Sequence, residues 1–347
     1  MPPESRRSIQ TLIAWLALAV TIGCSAHAAP RISTPPGATT STPALRDLQA
    51  QLSTIFNAPV MAHAAWGVHV RSLDRGDVVF AHDAGKLMMP ASNMKILTLA
   101  AAAERLGWEH RFSTTLQTTA PVEQGVLRGD LIVRGGGDPT ISTRAKRNEL
   151  VFDEWAAALK LAGITSIEGR IIGDDQAFDD DGVGPGWSWD YLEAGYAAPI
   201  GALQYNENTA DLITTPAATI GEPVIVQLAP GSGLTVVNRA LTGQEPDSGV
   251  RGTINVQRRI DRPVLEVAGM IPLGTPPVTR AVAVINPTLF FAQSLKDALS
   301  ARGIVVAGDA VDIDDVAAEL VDGDETDRRV LVTTQSAPLR EVATVLM

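Results

Sequence analysis

Cysteine is nearly absent: 347 residues carry one, Cys24. A disulfide scaffold and a cysteine-ligated metal site are therefore excluded. If an export signal is removed after Ala28, no thiol nucleophile remains either. Histidine is also scarce. His27, His63, His69, His82 and His110 form no HxxxH or HExxH pair, so zinc-hydrolase chemistry finds no support. Positive charge is in deficit, with 28 Lys and Arg against 39 Asp and Glu for a net charge of -11. No basic run offsets that balance, which argues against nucleic acid or an anionic membrane surface as partner. One apolar run stands out, residues 9–23, and it is too short and too poorly flanked for a membrane span.

That run reads as the core of an export signal. Arg6 and Arg7 precede it, and Ala26-His27-Ala28 supplies small residues for cleavage before Ala29. Gly23-Cys24 offers a rival reading, a lipoprotein signal with Cys24 acylated. Residues 29–43, rich in Pro, Ser and Thr, form a flexible leader.

Beyond the leader the pattern changes twice. Leu45, Leu48, Leu52, Ile55 and Phe56 fall at helical spacing. Trp66, Val68 and Val70 then alternate with polar or small residues, and Asp74-Arg75-Gly76 turns the chain into a hairpin. A second helix runs from Ser92 to Leu106, closed by Gly107. From His110 onward short strands dominate, separated by Gly, Pro and Asp. Helices interrupt them near residues 148–162 and 287–302, and a last helix begins in "QSAPLREVATVLM".

Ser92 and Lys95 carry the chemistry. A serine hydroxyl needs a base nearby to act as a nucleophile at neutral pH. Residues three apart on a helix share a face, so the Lys95 amine can reach the Ser92 oxygen. A lysine serves as base where burial or the positive end of a helix lowers its pKa. The Ser92 N–H, among the unpaired donors of a helix start, can face an oxyanion. The plainer alternative is a capping serine followed by a solvated lysine.

The surrounding residues favour catalysis. A hairpin, a short loop and "PASNMKILTLAAA" resemble the active-site opening of the penicillin-binding proteins. Within these the chain is most similar to the peptidase S13 family, the D-alanyl-D-alanine carboxypeptidase/endopeptidases of the penicillin-binding protein 4 type. The resemblance continues through "RFSTTL", "LIVRGGGDPTI", the "DDQAF" segment with "GPGWSWDYLEAGYAAPIGALQYNEN", "INPTLFFAQSLKDALSARGIVVAG" and "QSAPLREV", so it covers nearly everything from Leu45 onward.

The resemblance implies an α+β multidomain fold: a partial β-lactamase/transpeptidase-like domain with a large β-rich insertion. The N-terminal part of the catalytic domain is expected at residues 44–109, an inserted region of two subdomains at 110–334, and a return helix at 335–347. It further implies cleavage of D-Ala–D-Ala bonds or D-alanyl cross-links in peptidoglycan peptides, in the periplasm or cell envelope, with no cofactor and no metal. Ser92 would be the nucleophile, acylated by substrate and by β-lactam antibiotics alike, and Lys95 the general base. Asp138, after three glycines that permit close backbone approach, would face the substrate, although a turn-capping role before Pro139 fits equally well.

Two family motifs are missing. Neither Ser-x-Asn nor Lys-Thr-Gly occurs in a usable place. Ser25-Ala26-His27 and Ser188-Trp189-Asp190 do not fit, Asn206 and Asn208 read as part of a strand, and Arg251-Gly252-Thr253 is a strand-edge turn. The expectation is a member of the family truncated before both motifs. Loss of even one oxyanion donor costs about a hundred- to a thousandfold in rate, so a non-catalytic wall-binding fragment is the rival function. Such a fragment would also leave apolar faces uncovered. A β-lactamase shares the Ser-x-x-Lys logic but needs a deacylating carboxylate and would not carry this insertion. Two further features are read as structural. The acidic stretch Asp174, Asp175, Asp179, Asp180 and Asp181 lacks EF-hand spacing and is taken as a solvated loop. Trp187 and Trp189 are taken as core or interface residues rather than a sugar platform.

Overall fold

The computed structural model describes residues 42–244, 253–316 and 327–347. The expected signal, Cys24, nearly all of the leader and the Arg251-Gly252 pair lie outside the described residues. The chain divides into two compact units, residues 1–91 and 92–347.

In the first unit, helix α1 (Pro43–Phe56) starts at Thr42, whose hydroxyl accepts the Leu45 N–H at 3.3 Å, with Pro43 at the first helical position. Strands β1 (Val68–Arg71) and β2 (Val78–His82) form the expected antiparallel hairpin, pairing Val70 with Phe80. The turn places Gly76 at φ 74°, where a side chain would be strained. The apolar stripe of α1 meets β2: Phe56 stacks on Phe80 and meets Trp66 edge-on at 5.4 Å, and Gln49 Nε2 donates to the Val79 carbonyl.

The second unit opens with helix α2 (Met94–Leu106), ended by Gly107 at φ 84°. Its main layer is a five-stranded sheet in the order β16 (Ala310–Asp312), β8 (Ile171–Asp174), β6 (Leu131–Arg134), β3 (Ser113–Thr118), β17 (Arg329–Gln335). The first three strands are parallel; β3 and β17 complete the sheet in antiparallel pairs. Parallel neighbours need crossovers. Helix α3 (Asn148–Leu161) lies between β6 and β8, and α4 (Pro287–Ala301) leads into β16. Both helices pack on one face of the sheet, where Phe152, Trp155, Leu159, Phe291, Leu295 and Leu299 bury against Leu116, Leu131, Val133 and Ile171. On the opposite face Ile132, Ile172 and Ile313 make a smaller cluster. A minor sheet, β15 (Val305–Val306), β7 (Ser166–Ile167), β5 (Val126–Leu127) and β4 (Val122–Glu123), extends this layer.

A second core lies between two three-stranded sheets. One is β10 (Ile225–Leu228), β9 (Thr209–Thr215), β14 (Val278–Ala283); the other is β11 (Thr235–Gly243), β13 (Val264–Pro272), β12 (Ile254–Arg258). Leu212, Val256, Leu265, Val267 and Val282 fill it, and Tyr205 packs against both cores. In β13, Gly269 holds φ 118°, and a Cβ there would overlap the Thr253 carbonyl. The last helix, α5 (Leu339–Leu346), forms where "PLREV" suggested it. The region read as β-rich thus contains a mixed sheet with parallel strands, because its two helices serve as crossovers rather than interruptions.

Candidate active site

A single turn of 3-10 helix, Ala91–Asn93, runs directly into α2. Ser92 sits in that turn and Lys95 in the first turn of α2, both exposed. Among the described residues neither side chain takes a hydrogen bond or an ion pair. Ala91, immediately before Ser92, holds φ 44°. That left-handed conformation costs a non-glycine residue about 1–2 kcal/mol, and such strain clusters at functional sites. Helix α2 also exposes Met94, Ile96 and Leu97.

The chain after α2 is zipped to the segment that leads into α5. Ser336 N–H donates to the Phe112 carbonyl at 2.9 Å, and Phe112 N–H donates to Ser336 Oγ at 3.0 Å. Arg111 reaches the Ser336 carbonyl from 225 positions away at 2.8 Å. Leu339 N–H donates to His110 and Arg340 N–H to Trp108, while the Arg340 guanidinium pairs with Glu109. These bonds set α5 beside α2. Ser336 was not singled out from sequence; its role depends on a partner more than two hundred residues earlier.

Asp138 lies in the loop after β6, with its side chain 1% exposed. Its Oδ1 accepts the Thr140 N–H at 2.8 Å and the Thr140 hydroxyl at 2.6 Å. Its Oδ2 faces Arg147 Nη1 at 3.4 Å. Arg147 also donates to Thr140 Oγ1 and, through Nη2, to the Gln335 carbonyl at 3.2 Å. The aspartate thus caps its own turn and anchors an arginine that ties the loop to the end of β17. The three glycines before it allow close approach to the chain itself: a Cβ at Gly135 would strike the Ala202 carbonyl, and one at Gly136 the Ser113 carbonyl.

Asn206 and Asn208 do not lie in a strand. With Glu207 they form a left-handed turn ahead of β9, at φ 50°, 58° and 54°. Asparagine tolerates this region better than most residues, and side-chain bonds hold the turn. Asn206 Oδ1 accepts the Thr143 hydroxyl at 2.7 Å, Asn208 Nδ2 donates to Pro199, and Glu207 pairs with Arg144. The Trp187 and Trp189 side chains, read as core or interface, are exposed. The acidic stretch also behaves differently from a simple solvated loop. Asp174 is buried against Arg328 at 2.5 Å, and Asp175 turns towards Asp312 and Asp314.

The comparisons agree with this architecture. The sequence profile of the D-Ala-D-Ala carboxypeptidase 3 (S13) family matches residues 48–347. A D-alanyl-D-alanine carboxypeptidase of an Actinomadura species is 31% identical over 87% of this chain and 55% of its own length. The D-alanyl-D-alanine carboxypeptidase DacB of Haemophilus influenzae is 30% identical over 41% of this chain and 28% of its own. The crystal structure of penicillin binding protein 4 from Haemophilus influenzae superposes with a TM-score of 0.63 at 22% identity, covering 80% of this chain and 57% of that one; at that identity the likeness establishes the fold. The chain spans about half the length, or less, of the relatives it matches. None of the described helices is long and apolar enough to cross a membrane. With the profile running through both units and the solved relative sharing the mixed α/β layers, the chain belongs to the S13 family of D-Ala-D-Ala carboxypeptidases.

Proposed function

We propose that this chain contributes the nucleophile and base of a serine-type D-alanyl-D-alanine carboxypeptidase/endopeptidase acting on peptidoglycan peptides outside the cytoplasmic membrane. The observation that carries this reading is the family profile over residues 48–347, together with a strained turn that delivers Ser92 to the start of α2 one turn from Lys95. Ser92 Oγ attacks the carbonyl carbon of the penultimate D-alanine while Lys95 takes the hydroxyl proton. The C–N bond breaks, the terminal D-alanine leaves with that proton, and water hydrolyses the acyl-serine ester. The Ser92 N–H, near the positive end of α2, donates to the developing oxyanion. Asp138 acts by holding Arg147 and the Gln335 carbonyl in place beside the segment entering α5.

β-Lactams react at the same serine in this reading, supported by the solved complex of the Haemophilus influenzae protein with a β-lactam. A second reading, wall binding without catalysis, draws on the exposure of Ser92 and Lys95. Incubation with a fluorescent penicillin followed by peptide mapping separates the two. An adduct on Ser92 that vanishes in Ser92→Ala and falls at least about a hundredfold in rate in Lys95→Ala supports acylation. A protein that pulls down with peptidoglycan but takes no label supports binding alone.

A further inference from the structure

Aromatic side chains are unevenly placed on the surface. Among the described residues six are exposed, and five of them, Phe178, Trp187, Trp189, Tyr191 and Tyr196, fall in the loop between β8 and β9. Each ring left in water forgoes the burial that aromatic residues usually obtain, and a local concentration of such rings marks a binding surface.

The loop has a defined shape. Single 3-10 turns at Trp189–Tyr191 and Gly195–Ala197 form it. One arm is tied to β14 by the Ala283 N–H, which donates to the Glu193 carbonyl at 3.0 Å, and by a bridge between Ala194 and Val282. The Ile200 N–H closes the loop on the Gly182 carbonyl at 2.8 Å. The Tyr191 and Tyr196 rings stand 6.1 Å apart, and Phe178 lies against Gly137, where a Cβ would come within 2.7 Å of the ring. The same loop walls a cleft of about 580 Å³, with Val183, Leu192, Pro199 and Ile200 as apolar sides. Strand β12 brings Arg258 into that cleft. Among the described residues Arg258 forms no ion pair, and its guanidinium donates to the Leu192 carbonyl at 3.3 Å.

The chemistry around the rings selects the ligand. Trp187, Trp189 and Tyr191 alternate with Ser188 and Asp190, and Asp179 and Asp180 stand exposed on the cleft wall. Protein interfaces gather aromatic residues at a centre depleted of Asp and Glu, and a polyanion or an anionic lipid surface would be repelled here. A pyranose sugar suits both features. The C–H bonds of its flat face rest on the electron-rich face of an aromatic ring, while the hydroxyls round its edge donate to carboxylates. An acetamido substituent adds a carbonyl that accepts from a guanidinium and a methyl that an apolar wall can cover. We propose that this loop and cleft bind a chain of N-acetylated pyranose sugars, with Trp189 and Tyr191 as stacking platforms and Arg258 as donor to an acetamido carbonyl. The site uses no residue of the Ser92 turn, so the inference goes beyond the acyl-serine reading and stands or falls without it.

The test titrates the purified protein with the tetramer of N-acetylglucosamine, followed by calorimetry and by tryptophan fluorescence. The expected result is one saturable event per chain and a blue shift of the emission. Trp189→Ala and Tyr191→Ala should each weaken binding at least tenfold, while Trp189→Phe, which keeps a stacking face, should lose less. The β-linked glucose tetramer, which has no acetamido groups, should bind at least tenfold more weakly, and Arg258→Gln should narrow that gap. Trp189 and Tyr191 are exposed, so their variants should melt as the parent does, which separates lost binding from lost fold. Trp108→Ala, at the exposed ring outside the loop, should bind as the parent does. No saturable binding up to millimolar sugar, equal binding of the two tetramers by the parent, or binding that survives both Trp189→Ala and Tyr191→Ala, would overturn the proposal.

Discussion

The Asp174–Arg328 pair offers the sharpest stability test. Asp174 ends β8, and Arg328 directly precedes β17, 154 positions later. Their side chains are 1% and 6% exposed and meet at 2.5 Å. Among the described residues Asp174 Oδ1 accepts only the Gln176 N–H and Arg328 Nε finds no partner, so the pair is not embedded in a fully satisfied network there. Asp174→Asn keeps the shape but leaves a guanidinium buried without its counter-charge. Breaking a buried pair from one side costs about 3–5 kcal/mol. For a domain of this size each kcal/mol moves Tm by about 2–4 °C, so the smaller figure alone predicts a fall of about 6–12 °C. Replacing both partners, Asp174→Leu with Arg328→Met, removes two desolvated charges together and should recover most of that loss. Urea titration of the parent, both single variants and the double variant closes the cycle, and the coupling energy should favour the pair by more than about 1 kcal/mol. An Asp174→Asn variant that unfolds within about 1 kcal/mol of the parent, or a double variant that loses the sum of the single losses, would show that the pair does not act as a buried ion pair.

Two further perturbations probe other joints of the second unit. Ser336→Ala removes the acceptor of the part-buried Phe112 N–H; an amide orphaned there costs about 1 kcal/mol, and hydrogen exchange at Phe112 should rise while exchange within α3 stays unchanged. Gly269→Ala forces a side chain into φ 118° against the Thr253 carbonyl; a loss above about 1 kcal/mol should appear as a lower Tm, and an unchanged Tm would contradict the close approach of β12 to β13.

Local signals made part of this legible in the sequence. Helix α2 carries its own stop at Gly107, the hairpin has Asp74-Arg75-Gly76 at its bend, and Pro287 with Asn286 marks the start of α4. The Ser92 and Lys95 spacing was visible for the same reason: both lie within one turn. Features made by distant chain segments were not visible. Nothing in "NEN" distinguishes a strand from a left-handed turn until Thr143, Arg144 and Pro199 are in place to hold it. The acidic run around Asp175 reads as a solvated loop because Asp312 and Asp314 reach it only through the parallel pairing of β8 with β16. Arg147 likewise looks like one more surface cation until Gln335 arrives beside it.

The pairing of β17 with β3 has a consequence for how the molecule is made. Thr118 and Arg329 are partners, as are Ser113 and Gln335, so one side of β3 stays unsatisfied until almost the whole unit has been synthesised. Loop closure over that distance is slow. Meanwhile β3, already bonded to β6 on its other side, presents an open edge that can template pairing with another chain. Aggregation during biogenesis should therefore depend on how quickly residues 329–335 are delivered, and a holdase that masks β3 would raise the yield of folded protein without touching its final stability.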